Sequence, residues 1–80
     1  MRFYGIDFVA HELGVHASSL RRWEENGLIS PERATMGKTA LRIYDEMTMR
    51  VLRRAKTSMD TGMSVREAFD KARREEQQND

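Results

Sequence analysis

Arg21 and Arg22 stand beside Ser18 in a segment, Val15 to Glu24, whose residue types favour a helix. Arginine makes bidentate bonds to guanine edges or to phosphate, and serine bonds either. Successive helical residues turn by about 100°. With Leu20 set at the core, Ala17, Trp23 and Glu24 fall within about 60° of it, and Ser18, Arg21, Arg22 and Glu25 fall on the far side. The segment therefore buries Leu20 and Trp23 and turns Ser18, Arg21 and Arg22 outward. A solvated helix face that happens to carry two arginines has the same pattern, so the neighbouring segments must decide between the two.

Upstream, Asp7 is placed to cap a short helix from Phe8 to Leu13, with Val9, Ala10 and Leu13 on its inward side. Gly14 supplies the tight turn between this helix and the next, and Val15 plugs the angle between them. His16 falls at the N-cap of the second helix, a position better served by Ser or Asp, and Gly27 ends that helix. Residues 29–33 and 40–44 read as two short strands joined by a turn over 35–39. Pro31 marks the first as an edge strand. Arg33, Lys38 and Arg42 make this hairpin basic, and Tyr44 closes it. A recognition helix followed by a basic wing makes duplex DNA the leading candidate ligand.

Asp45 is placed to cap a third helix whose Thr48, Val51, Leu52, Ala55 and Met59 recur at helical spacing and should face the core. Gly62 stops it. Ser64 and Glu67 have the spacing of a capping box opening a fourth helix, with Val65, Ala68, Phe69 and Ala72 inward. The methionines read as fillers of a small core. The expected fold is mainly α with a small β-hairpin: a winged helix-turn-helix of four helices over residues 1–72, with a polar tail at 73–80. Phe8 has no obvious place. An aromatic exposed there would suggest a protein-contact surface.

Taken in order, Ser19-Leu20-Arg21-Arg22-Trp23-Glu24, Gly27-Leu28, Pro31-Glu32-Arg33, Arg42-Ile43-Tyr44 and Gly62-Met63-Ser64-Val65 resemble the DNA-binding domain of the MerR family, the mercury-resistance-type regulators. The resemblance covers roughly residues 4 to 70. It implies a recognition helix in the major groove and a hairpin wing on the flanking backbone, used for transcriptional regulation. On it, Ser18, Arg21, Arg22, Arg33, Lys38, Arg42 and Tyr44 are the candidate DNA contacts. Three departures stand out. Arg22 occupies a position usually aromatic in the family. The wing is a few residues longer, with Met36 and Lys38 at its tip. The family normally continues into a long dimerising helix and an effector domain, where this sequence has the polar run 73–80. The free chain is therefore expected to be monomeric or weakly self-associating, with pairing on DNA. Two alternatives stay open: an excisionase-like architectural factor that bends DNA, and a protein-interaction module built on the same fold.

Eighty residues make one domain with a modest core. The absence of cysteine excludes disulfides and thiolate metal ligands, and fits a cytoplasmic location. No segment reads as a membrane span or secretory signal. His11 and His16 lie five apart, which suits no single helix face, and no third ligand accompanies them. Ser18 and Ser19 have no base, and no glycine-rich phosphate loop occurs. Neither an enzyme, a cofactor nor a metal is called for. The net charge of +1 is small for a nucleic-acid binder. Between residues 33 and 56, however, seven bases stand against two acids. Phosphate binding needs a positive face rather than a positive average.

Overall fold

The computed structural model describes residues 2–78, the Met36 side chain excepted. Asn79 and Asp80, placed by sequence in the polar tail, lie outside the described residues. The chain runs β1 (Phe3–Gly5), α1 (Ile6–Leu13), α2 (Ala17–Glu25), β2 (Glu32–Met36), β3 (Thr39–Asp45), α3 (Glu46–Asp60) and α4 (Val65–Gln78). The expected helices are present. The sheet has three strands rather than two, antiparallel in the order β1-β3-β2. β1 is too short to show a period, so sequence patterning does not reveal it. It exists because Tyr4 pairs with Tyr44 on the central strand.

That pairing also moves the start of α1. The chain stays extended to Gly5, which becomes the N-cap, and Asp7 lies in the first turn without capping. The hairpin is shifted too. Leu28 and Ile29 are drawn into the core, and pairing begins only at Glu32, beyond Pro31, which has no amide to donate. Met36 faces Thr39, leaving a two-residue turn at Gly37 and Lys38. Gly37 has φ of 62° and Lys38 has negative φ, the pattern of a II′ turn, whose twist suits paired strands.

The helix-turn-helix angle is set by local backbone bonds. Gly14 takes a left-handed φ of 68°, so its amide reaches His11 O and the Val15 amide reaches Ala10 O. This is a Schellman closure, and it brings Val15 against the core as a plug. α2 ends the same way. The Gly27 amide bonds Glu24 O and the Leu28 amide bonds Trp23 O, which folds Leu28 inward. His16 is the N-cap of α2, without a side-chain cap bond.

One core serves all the elements. Val9 of α1, Leu20 and Trp23 of α2, Tyr44 of β3, Met49 and Leu52 of α3 and Phe69 of α4 are buried in it. Trp23 meets Phe69 edge-on, with ring centroids 5.3 Å apart. Met49 is fully buried although its place in the helical pattern did not single it out. The Asp45 carboxylate caps α3 by accepting the Thr48 amide at 2.8 Å, and this bond holds its pKa below the ordinary value. Ser64 opens α4, its hydroxyl accepting the Glu67 amide and donating to the Glu67 carboxylate. Val65, expected to face inward, is exposed in the first turn of α4.

α4 continues past Ala72 to Gln78, so residues 73–78 are helical rather than an irregular tail. They carry no apolar stripe. Polar bonds hold them instead: Glu76 takes Arg50 at 2.8 Å and Arg54 at 2.7 Å from α3, and Arg73 donates to the Leu28 carbonyl.

Trp23 joins α2 to α4 through the middle of this core. Trp23→Ala should cost about 3–5 kcal/mol, a large share of the stability of a small domain. Denaturant unfolding followed by circular dichroism measures it. A cooperative variant within about 1 kcal/mol of the parent would mean that the indole is not anchored as described.

Candidate nucleic-acid interface

α2 is amphipathic as its sequence requires: Leu20 and Trp23 are buried, and Ser18, Arg21 and Arg22 are exposed. Arg21 and Arg22 have no ion-pair or hydrogen-bond partner among the described residues, and neither does Lys38 at the turn of the hairpin. Unpaired guanidinium groups on an exposed helix face keep all their donors for an external acceptor.

The other candidates are placed differently. Arg33 and Arg42 are direct cross-strand partners in β2 and β3, so their side chains leave the same face of the sheet. Glu24 of α2 lies between them. One carboxylate oxygen accepts Arg33 Nη2 at 2.7 Å and the other accepts Arg42 Nε at 2.6 Å. Arg42 holds the Glu24 carboxyl below the usual carboxylate range against the opposing effect of burial, and Arg33 adds to the lowering. The same contact raises the pKa of Arg42. Glu24 was not singled out among the candidate residues, although the sequence held a signal. It falls on the buried side of α2 near Leu20, where a carboxylate needs a cation.

Tyr44 is not on the surface. It is fully buried on the central strand, and its hydroxyl has no hydrogen-bond partner among the described residues. Two positions along β3 from Arg42, it points to the same side of the sheet and forms part of the floor beneath the ion cluster. Burial first, and the negative charge of Glu24 second, push its phenol above the ordinary value, outweighing Arg42, Arg33 and Arg21.

The basic run seen between residues 33 and 56 is largely neutralised by acids from elsewhere. Arg33 and Arg42 pair with Glu24, Arg50 and Arg54 with Glu76, and Lys56 with Asp60. Lys38 and Arg53 remain without a partner among the described residues. The free positive charge is therefore concentrated on α2 and the wing tip more than along α3.

Phe8, unplaced by sequence, stacks on Tyr4 with ring centroids 5.2 Å apart and planes 13° from parallel, and it stays half-exposed. The Tyr4 hydroxyl donates to Glu46. Among the described residues no helix is long and apolar enough to cross a membrane.

A family model described as "MerR HTH family regulatory protein" matches residues 4–74. Among solved structures the chain is similar to HiNmlR, a MerR family regulator lacking the sensor domain, determined bound to promoter DNA. The TM-score is 0.70 at 22% identity, over 90% of this chain and 53% of that one. The likeness is one of fold, and the chain spans about half the length of that regulator. No curated protein matches the chain.

The buried Tyr44 hydroxyl leads to a test. Removing an unpartnered buried hydroxyl relieves a desolvation cost, so Tyr44→Phe should leave stability unchanged or raise it by about 1 kcal/mol. Because folding raises this pKa, the native phenol contributes stability below its ordinary value of 10.0 that is lost as pH climbs through the raised one. The stability difference between Tyr44→Phe and the parent should therefore widen in the variant's favour at alkaline pH. Urea melts at neutral and alkaline pH measure both effects. A loss of more than about 2 kcal/mol at neutral pH would show that the hydroxyl has a partner.

Proposed function

Because the chain belongs to the MerR family of helix-turn-helix regulatory proteins, we propose that it binds duplex DNA sequence-specifically as a transcriptional regulator. α2 enters the major groove and the β2–β3 hairpin lies over the flanking backbone. Ser18, Arg21 and Arg22 meet base edges or phosphates in the groove, and Lys38 meets a phosphate at the wing tip. The observation that carries this reading is the exposed, unpaired arginine pair on the second helix of a helix-turn-helix. The promoter DNA held by the similar regulator supports it.

The free 80-residue chain is monomeric in this reading. The buried residues of α4, Ala68, Phe69 and Ala72, are used within the chain's own core, and residues 73–78 present no apolar seam to a partner. Pairing then arises on DNA, where adjacent half-sites raise the local concentration. Sedimentation equilibrium at micromolar concentration should give the monomer mass, whereas a tight DNA-independent dimer would refute this.

Arg21→Ala and Arg22→Ala should each leave the fold intact, since both side chains are exposed, and weaken binding by about 1–3 kcal/mol if a base contact is lost. A duplex selected from a randomised pool by the wild-type protein is the probe. Loss of a base contact should relax sequence preference at one position. Loss of a phosphate contact should lower the salt slope by about 0.9. Unchanged affinity in both variants would remove α2 from the interface.

A further inference from the structure

Among the described residues, the only side-chain hydrogen bonds or ion pairs joining α2 to the hairpin are those of Glu24. Beyond the shared core at Leu20, Trp23 and Tyr44, the polar link that fixes the angle between the reading helix and the wing rests on one carboxylate. The arrangement is strongly determined. Like charges directly opposite on a sheet repel, and Arg33 and Arg42 are such a pair, so each needs the anion between them. Glu24 has two oxygens and gives one to each guanidinium. It also lies one turn beyond Arg21 on the same helix, so the bridge and the exposed arginine face share one rigid support.

The lever arm is long. Lys38 precedes Arg42, the cross-strand partner of Arg33, by four positions, which at strand rise places the wing tip about 13 Å beyond the bridge. A rotation of about 10° at the bridge moves that tip by about 2 Å, more than a hydrogen bond tolerates.

We propose that Glu24 is a positioning residue of the DNA interface. It sets the angle of the wing so that the tip meets the backbone at a fixed distance from the bases read by α2. Arg33 and Arg42 are engaged in this bridge and are not phosphate ligands. The inference rests on the DNA-binding reading above, and it gives these two arginines a different role from the DNA contact expected of them by sequence.

The first test needs no DNA. Glu24→Gln keeps the shape of the side chain and removes its charge. In the free protein, backbone relaxation and amide exchange at Thr35–Leu41 should rise relative to α2, while a melt shows the domain folded. A wing as ordered as the parent's overturns the proposal whatever the protein binds.

The second test uses a duplex selected from a randomised pool by the wild-type protein. Failure to select any sequence would overturn the DNA-binding reading, and the proposal with it. Given a selected duplex, Glu24→Gln should bind about tenfold more weakly and lose backbone protection at the flank while keeping protection under α2. Its salt slope should fall by about 0.9, the share of one phosphate contact. Tighter binding with a steeper slope would mean that Glu24 was withholding the arginines from phosphate, and would overturn the proposal. So would an unchanged footprint.

The charge exchange gives the rescue. Glu24→Arg alone gathers three cations and should lose the flank footprint. Combined with Arg42→Glu, it again sets one anion beside two cations, the anion now on β3, and should recover the flank footprint, with affinity within about threefold of the parent. A double variant that folds but leaves the flank unprotected would show that Arg42 itself touches DNA, against the proposal.

Discussion

Two cations face each other across the hairpin at Arg33 and Arg42, on the side of the sheet that looks toward α2. Left to themselves they would splay the strands or turn their side chains to water. Glu24 accepts a hydrogen bond from each, and the repulsion becomes a joint between helix and hairpin. An isolated surface ion pair contributes little. This one differs in having two guanidinium groups on one carboxylate, with the buried Tyr44 beneath. The rest of the molecule is arranged to make the joint possible. Trp23 holds α2 at the right depth, the Schellman closure at Gly27 turns the chain back toward the sheet, and Leu28 anchors the return.

The same logic divides the basic residues into two populations. Those tied to acids serve the fold: Arg33 and Arg42 between helix and hairpin, Arg50 and Arg54 between α3 and the last turns of α4. Glu76 is the second hub, and its carboxyl is held below the usual range by Arg50 and then Arg54. Among the cations without an acidic partner, Arg21 and Arg22 stand on the exposed face of α2 and Lys38 at the tip of the wing. A net charge of +1 is then no obstacle to binding a polyanion, because the local group of unpaired cations, and not the average charge, sets the field that a phosphate meets.

Much of this was legible in the sequence, for reasons that can be named. The inward sets of α1 and α2, the turn at Gly14, the Asp45 cap and the Ser64–Glu67 box are local patterns, and local patterns are what a one-dimensional reading detects. What escaped it depends on distant partners. β1 exists only because of β3, and the start of α1 moved with it. The strand boundaries shifted because Leu28 and Ile29 found a core that no window of sequence contains. The helical state of residues 73–78 rests on arginines more than twenty positions away. Within the candidate site, the types of Arg33, Arg42 and Tyr44 were plain, but their orientation was not. The Arg-x-Tyr spacing puts both residues on one face of a strand without saying which face the helix covers.

The pairing of β1 with β3 gives the molecule a clasp. Phe3 lies opposite Asp45, so the first residues of the chain close a loop that contains α1, α2 and the hairpin. Closing a flexible loop of that length costs about 3 kcal/mol of chain entropy. The α3–α4 pair, by contrast, is joined by a short turn, so the two helices meet without a long loop to close, even where Glu76 reaches back to Arg50 and Arg54. The two halves therefore differ in how they are closed. The C-terminal half folds back on itself about a short turn. The half that carries the arginine face is secured by its two ends meeting.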